Sequence, residues 1–129
     1  MKTGYFAKYG SYPKGTGYDY ISIARYNKFW KGGEYKKLAP PPELLSISDK
    51  EAYEQAYREH VLAKLDPKTV YDELGENAVL LCYEKFEDCL SGKTFCHRHI
   101  VAAWLKETLH IEVKELEYEN KQSAVQLHF

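Results

Sequence analysis

The chain has 129 residues, a length typical of one domain, and it is large enough to bury a core without disulfide or metal staples. Eighteen Lys and Arg residues against nineteen Asp and Glu residues give a net charge of −1 at pH 7, so no global basic field favours nucleic acid or an anionic membrane. Apolar runs are too short to span a membrane, the N-terminus lacks a secretory signal, and three cysteines, an odd number, predict a reducing cytoplasmic setting. Composition excludes disorder and membrane spans, but it names no activity.

The first part of the chain, residues 1–47, is rich in Tyr, Gly, Lys and Pro. Residues 18–26 alternate polar with apolar and β-branched side chains, which predicts a strand, and residues 3–9 are a weaker strand candidate. The proline triplet at positions 40–42 predicts a short extended piece, because each ring fixes φ and disfavours helix in the residue before it.

Residues 48–120 carry clearer signals, and the first of them is a helix. Ser48 and Glu51 have the spacing of a capping box, which predicts a helix over about residues 49–64. Three of its side chains are predicted to form the packed face without a chemical role: Tyr53, Tyr57 and His60.

Helices and strands then alternate. Asp66 and Pro67 predict the start of a second helix. Residues 78–84 form a nearly continuous apolar run, as in a strand buried on both faces. A helix predicted to begin at Cys96 and a strand over residues 111–116 follow.

This order of elements predicts the fold class. Helix–strand–helix–strand at these lengths favours right-handed crossovers in one sheet. We therefore predict an α/β protein: a single compact, Rossmann-like domain over residues 1–129, with a mainly parallel sheet flanked by helices. Residues 121–129 form a C-terminal tail outside this pattern.

Two anion-binding motifs are incomplete. The Gly-Lys-Thr run ending at Thr94 lies between a strand and a helix, but a P-loop needs a glycine where Glu87 stands. A cysteine-phosphatase loop starting at Cys96 needs an arginine where the chain has Val101 and Ala102. The P-loop and the cysteine-phosphatase loop are both excluded.

Cysteine and histidine spacing gives little support for a metal. Cys82, Cys89 and Cys96 recur at intervals of seven, but no Cys-x-x-Cys pair is present. His97 and His99 are predicted to point away from each other on a helix. We therefore predict no metal and no other cofactor.

The candidate site lies where the buried strand ends and the next helix begins. Ligands of open parallel sheets bind beyond the carboxyl ends of the strands, and a helix N-terminus favours an anion and lowers the pKa of a thiol there. Cys82 and Glu84 share one face of the strand, and Cys96, His97 and Arg98 open the helix. One small region is therefore predicted to hold thiol, carboxylate, imidazole and guanidinium groups.

These residues resemble a known family. The segments 79–84 and 96–105 are similar to the hallmark "LLCxE…CHRxxIAxWL" of the domain-of-unknown-function family numbered 488, which includes the YeaO-like proteins. Residues 21–25 and 37–40 are similar to its first strand and arginine. The resemblance implies a Rossmann-like α/β domain of bacteria, archaea and their viruses, with no established activity. It marks six positions: Arg25, Cys82, Glu84, Cys96, His97 and Arg98. The gap of eleven residues, 85–95, is longer than expected for the family.

The leading functional prediction is a binding site for a small anionic, nucleotide-like ligand. Phosphate is expected at the helix start, near Arg98 and Arg25, because guanidinium groups bind phosphate in a bidentate way. A base is expected to stack on aromatic rings, with Trp30 as a further candidate. The predicted ligand-binding residues are Arg25, Tyr26, Cys82, Tyr83 and Arg98.

Two other classes stay open. The first is an enzyme in which Cys96 is the nucleophile, His97 or Glu84 the acid or base, and Arg98 the stabiliser of developing charge. The second is a bacterial or viral protein–protein interaction module, or a homodimer, that uses the tyrosine-rich N-terminal part and the tail at residues 121–129. Nucleic-acid binding receives no support from the charge.

A purely structural interpretation stands beside these hypotheses. Arg98 is then a partner of Glu84 or Asp88, and Cys96 is simply tolerated at the helix start. Because adjacent side chains diverge on a helix, His97 is also predicted to be a poor direct base for Cys96.

Overall fold

One parallel sheet organises the protein. The computed structural model describes residues 1–15 and 17–116. The strands are β1 (Lys2–Tyr5), β2 (Asp19–Ser22), β3 (Gly33–Glu34), β4 (Ala78–Cys82) and β5 (Lys114–Glu115). All four pairings are parallel, in the order β3-β2-β4-β1-β5. The predicted α/β class with a parallel sheet is confirmed.

In the described part of the chain, four α-helices connect and cover the strands. They are α1 (Lys50–His60), α2 (Pro67–Leu74), α3 (Phe86–Leu90) and α4 (His97–Leu109). Short 3-10 helices span Phe6–Ser11, Lys36–Leu38, Pro42–Ser46 and Leu62–Lys64. Within residues 1–15 and 17–116, each helix is too short or too polar to cross a membrane.

Alternate residues of β4 face opposite sides of the sheet, and the two sides are covered differently. Leu80 packs into the larger core with side chains from α1, α2 and α4. Val79 and Leu81 pack on the other side with Tyr12 and Leu116. Further rings surround that second cluster: Phe6, Tyr9, Tyr18, Tyr20 and Trp30. Much of the tyrosine excess of the N-terminal part therefore forms a second core.

The first turn of α1 is capped by Asp49, not by the predicted Ser48. Asp49 Oδ2 accepts the N–H of Ala52 at 2.8 Å, so the aspartate satisfies one of the free amides of the helix start. The helix itself is confirmed. It ends earlier than predicted, because the chain tightens into the 3-10 helix at Leu62–Lys64.

The start of α2 follows the prediction. Asp66 Oδ2 accepts the N–H of Thr69 at 2.9 Å, and Pro67 occupies the first turn, where its missing N–H costs nothing. Gly75 ends the helix at a φ of 90°, a conformation that strains other residues.

Several elements differ in length from the prediction. β1 gives way to the 3-10 helix at Phe6–Ser11, and β2 ends at Ser22 instead of continuing to Tyr26. β5 keeps only two residues of the strand predicted over 111–116. The gap at 85–95, where no element was predicted, contains α3. The residues that follow β2, from Ala24 to Tyr26, line a pocket.

The strand order places a crevice between β2 and β4. The chain leaves β2 towards β3 on one side, and it leaves β4 towards β5 on the other side. Ser22 pairs with Leu81, and the N–H of Ile23 donates to the Leu81 carbonyl at 3.0 Å, so the two strands end nearly level. Adjacent parallel strands with diverging connections form the usual ligand site of open α/β sheets.

Candidate functional site

A pocket of about 310 Å³ opens at this crevice. It is lined by residues that follow β2, by the end of β4 and by the start of α4. It contains every residue of the predicted site except Arg98: Arg25, Tyr26, Cys82, Tyr83, Glu84, Cys96 and His97. The volume lies near the lower end of the range of small-ligand sites, roughly 300–1,000 Å³.

A disulfide joins Cys82 to Cys96 on the wall of this pocket. Cys82 ends β4, and Cys96 is the N-cap residue of α4. Cys89 is the free cysteine. The sequence predicted reduced cysteines, so the bond is a correction, and Cys96 has no free thiol in this form. Strand and helix are brought together by the fold, and sequence spacing did not reveal the pair.

His97 lies behind the disulfide and is fixed by a backbone carbonyl. Its Nε2 is 2.7 Å from the Ile23 carbonyl oxygen, which requires the proton on Nε2 and leaves the Nδ1 lone pair free. Burial lowers the pKa of His97 to about 4, so the ring is neutral near pH 7. Its Nδ1 lies 3.8 Å from Cys96 Sγ.

The prediction that Cys96 and His97 diverge is therefore wrong. It assumed that both residues are helical, whereas α4 begins at His97 and Cys96 is extended, with φ −139° and ψ 143°. The extended residue turns its side chain back towards the imidazole.

Arg98 does not face the pocket. It is fully buried, its Nε and Nη2 donate to the two carboxylate oxygens of Glu115 at 3.0 and 3.1 Å, and its Nη1 donates to Cys82 Sγ at 3.2 Å. This corrects two predictions: that Arg98 contacts ligand phosphate, and that it pairs with Glu84 or Asp88.

Glu115 is the residue that sequence reasoning missed. Thr3 Oγ1 donates to it at 2.7 Å, and His99 Nε2 lies 3.1 Å from it. One ion-pair cluster is thus formed by three buried side chains and one partly exposed side chain: Thr3, Arg98 and Glu115, with His99. Burial raises the pKa of the Glu115 carboxyl, but hydrogen bonds from His99 and Arg98 outweigh it, and the net shift is downward. The cluster forms because β5 lies beside β1, with Glu115 opposite Thr3.

Arg25 projects into the pocket in a fixed orientation. Its Nε donates to the Pro40 carbonyl at 2.8 Å, and its Nη2 donates to the Ala39 carbonyl at 3.1 Å. Within the described part of the chain, Nη1 is left without an acceptor. The extended proline segment thus holds the guanidinium in place.

Glu84 supplies the opposite charge, beside a tyrosine that was predicted to be structural. Thr94 Oγ1 donates to Glu84 Oε2 at 3.1 Å. Burial raises the pKa of Tyr53 to about 12, and Glu84 adds to the shift. Tyr53 stacks on Tyr57 as predicted for a packed face, yet it also lines the pocket. His60 is exposed, so its predicted place on that face is wrong.

Aromatic rings border the pocket entrance. Tyr26 and Tyr83 are 60% and 48% exposed, and the Tyr83 hydroxyl donates to the Tyr26 carbonyl. Tyr83 packs on Phe6 and Phe29 with ring centroids 5.1 and 6.0 Å away. Trp30, the other predicted stacking ring, packs on Phe6 in the second core and does not line the pocket.

Comparisons with protein families, with curated proteins and with solved structures found no match to this chain. The resemblance to the family numbered 488 therefore stays a prediction. The tail at residues 121–129, predicted to act in dimer or partner contacts, lies outside the described residues.

Proposed function

We propose that the protein binds a small anionic, nucleotide-like ligand in the pocket between the ends of β2 and β4. The observation that carries the proposal is Arg25, whose guanidinium is held by two carbonyls with Nη1 left for a ligand. An arginine fixed in this way loses little freedom when it binds an anion, so its hydrogen bonds contribute to affinity.

The start of α4 adds to the attraction for an anion. Cys96 is the N-cap residue, and its side chain forms no capping hydrogen bond to the helix. The first amides of a helix lack partners within the helix, and the helix dipole makes this end positive. Because Cys96 and His97 line the pocket, this positive end lies at its wall.

Glu84, another polar residue of the pocket, favours a ligand that also carries hydrogen-bond donors. Glu84 accepts one hydrogen bond from Thr94, and its carboxylate has capacity for further donors. A ligand that carries only negative charge is disfavoured beside it. A nucleotide offers both features, since its phosphate suits Arg25 and its sugar hydroxyls or base amino group suit Glu84. The exposed rings of Tyr26 and Tyr83 suit a base.

Calorimetric titration with AMP, inorganic phosphate and adenosine tests this proposal. AMP is expected to bind most tightly, because it alone uses the anion site and the aromatic rim together. Arg25→Ala is expected to weaken AMP binding by about tenfold or more, the usual cost of losing a charged hydrogen bond, and to leave adenosine unaffected. Arg58→Ala removes an arginine of α1 that pairs with Glu107 outside the pocket, and it is the matched control. Equal AMP affinity in the Arg25 and Arg58 variants contradicts the proposal.

A cysteine-dependent enzyme is the second candidate, and the two pocket-lining sulfurs favour it. After reduction, Cys96 lies at the positive end of α4 with His97 Nδ1 beside it, which suits a reactive thiolate. Burial raises the pKa of the Cys89 thiol, so Cys89 is a slow internal reference. Alkylation of the reduced protein at pH 7 is expected to modify Cys96 first. Equal rates at Cys96 and Cys89 contradict an activated thiol.

The family resemblance belongs to the same proposal. Its support is that most of the positions that the family marks surround one pocket: Arg25, Cys82, Glu84, Cys96 and His97. Arg98 lies directly behind them and donates to Cys82. In this proposal the arginine of the "CHR" triplet positions the pocket wall and does not touch the ligand.

A further inference from the structure

We propose that reduction of the Cys82–Cys96 disulfide creates a zinc-type metal site formed by Cys82 Sγ, Cys96 Sγ and His97 Nδ1. The three ligand atoms lie within 4.8 Å of one another. The site goes beyond ligand binding at Arg25, because it uses a different wall of the pocket and exists only in the reduced protein.

The distances suit a tetrahedral metal. Zinc–sulfur bonds of about 2.3 Å and zinc–nitrogen bonds of about 2.0 Å separate neighbouring ligand atoms by roughly 3.5–3.8 Å. Cys96 Sγ and His97 Nδ1 are already 3.8 Å apart. The Cα atoms of Cys82 and Cys96 are 7.2 Å apart, beyond the usual disulfide range of about 4.4–6.8 Å. This backbone spacing therefore leaves room for the reduced sulfurs to separate around an ion.

The imidazole is already oriented for a metal. His97 Nε2 donates to the Ile23 carbonyl, which fixes the tautomer and leaves the Nδ1 lone pair on the side of the sulfurs. Metal-binding histidines nearly always donate their other N–H to a carbonyl or carboxylate in this way, because the bond holds the ring and raises its basicity. Ile23 directly follows β2, so the sheet positions the His97 imidazole as a metal ligand.

The surrounding charges suit two thiolates. Arg98 Nη1 donates to Cys82 Sγ at 3.2 Å, which stabilises a negative sulfur. The charge of Arg98 is balanced by Glu115, so the guanidinium adds little net repulsion towards a divalent cation. Cys82 and Cys96 are both buried, and two thiolates neutralise one divalent ion in that setting.

Three protein ligands leave a fourth position for the metal, and it faces the pocket. Structural zinc sites use four protein ligands, whereas catalytic sites use three plus water or substrate. Glu84, an acidic residue, lines the same pocket. The site is therefore of the open type, and it brings a Lewis acid into the cavity that Arg25 shares.

The redox step balances with a dithiol as the reductant. The dithiol passes two electrons and two protons to the Cys82–Cys96 disulfide, which breaks the S–S bond, gives two thiols and converts the dithiol into its own disulfide. Metal binding then releases the two thiol protons. A small-molecule disulfide, acting as the oxidant, accepts two electrons from the Cys82 and Cys96 thiolates and is reduced to a dithiol; the S–S bond re-forms and the ion is released, so metal occupancy reports the redox state.

Cobalt spectroscopy tests the site in the full chain. Protein reduced with a dithiol and then freed of it anaerobically is titrated with Co²⁺, and Zn²⁺ is added afterwards. One Co²⁺ per chain with thiolate-to-cobalt charge-transfer bands, lost when Zn²⁺ displaces it, is the expected result. The disulfide form is expected to bind Zn²⁺ at least about 100-fold more weakly, because it lacks thiolate ligands.

Variants locate the ligands. Cys82→Ser and Cys96→Ser are each expected to reduce the charge-transfer intensity by about half or more, and His97→Gln to shift the visible bands. Cys89→Ser is the matched control and is expected to keep the full spectrum. Absence of thiolate bands in the reduced wild-type protein overturns the proposal without any variant, and so does their loss in Cys89→Ser. AMP titration of the disulfide form is independent of the metal, so the two proposals fail separately.

Discussion

The pocket and the ion-pair cluster lie on either side of the first turn of α4, and they differ in how their charged side chains are paired. In the cluster, Arg98 and Glu115 satisfy each other with two parallel hydrogen bonds and are shielded from solvent. In the pocket, Arg25 Nη1 has no acceptor among the residues that the structure describes, and Glu84 is only partly buried. Burial demands that a charge be paired within the protein, whereas partial exposure leaves it available to a ligand.

The comparison shows that neighbours in sequence need not share a role. Cys96 and His97 line the pocket, while the next residue, Arg98, points to the opposite side of the helix turn. A Cys-His-Arg triplet therefore divides into two pocket residues and one residue that holds the helix to β4 and β5.

The largest expected effect comes from breaking the cluster. Arg98→Met leaves the Glu115 carboxylate buried without its partner, and we expect it to lower the free energy of unfolding by about 3–5 kcal/mol. Urea unfolding of the disulfide form measures the change. The double variant Arg98→Met/Glu115→Leu is expected to recover most of the loss, because the unpaired charge is gone. A single variant within 1 kcal/mol of wild type contradicts the role given to the pair.

The second effect is a pH dependence at the pocket wall. The pKa of His97 is about 4 in the folded protein and 6.5 as its ordinary value, so the unfolded chain binds the proton first as the pH falls. The stability from His97 is fully present above pH 6.5 and is lost between pH 6.5 and pH 4, a change of about 3 kcal/mol. Urea unfolding of the metal-free disulfide form at these pH values measures it.

His97→Gln is the control for that pH dependence. Glutamine does not titrate, so the difference in unfolding free energy between the variant and wild type is expected to change by about the same amount over this interval. A difference that stays constant from pH 7 to pH 4 shows that folding does not lower the pKa of His97.

A smaller loss of stability is expected for Arg25 than for Arg98. Arg25→Ala removes two hydrogen bonds to carbonyls, and we expect a loss of about 1–2 kcal/mol in unfolding free energy, well below the loss for Arg98→Met. It is expected to weaken AMP binding about tenfold. Calorimetry and urea unfolding on the same samples measure both. A larger stability loss for Arg25→Ala than for Arg98→Met reverses the assignment of roles.

The smallest effect is expected for an ion pair at the surface. Arg58 contacts Glu54 and Glu107, whose side chains are 41% and 57% exposed. Solvent screens such pairs, so Arg58→Met is expected to change the unfolding free energy by at most about 1 kcal/mol. The measured value sets the scale for an exposed arginine against buried Arg98. A loss as large as that of Arg98→Met indicates that burial is not what distinguishes the two.

Sequence patterns located the pocket but not its internal contacts. Strand periodicity predicted Cys82 and Glu84 on one face, and the helix signal predicted Cys96 and His97 at the same end of the sheet. All four residues line one pocket, although β4 ends at Cys82 and Glu84 follows the strand. The partner of Arg98 was missed, because local proximity suggested Glu84 or Asp88 and the true partner comes from the last strand. Likewise, Tyr53 has the spacing of a core residue, and nothing local indicates that it also borders a cavity.

The sequence by itself determined the local elements: apolar runs defined β4 and the helices, Asp66 and Pro67 set the start of α2, and the class followed from their alternation. These features depend on interactions between residues that are a few positions apart in the sequence. Only the tertiary structure decided that β5 lies beside β1, that Glu115 meets Arg98, and that Cys82 bonds to Cys96. Such contacts depend on strand order. Strand order results from the packing of the whole core, and no single segment of the sequence determines it.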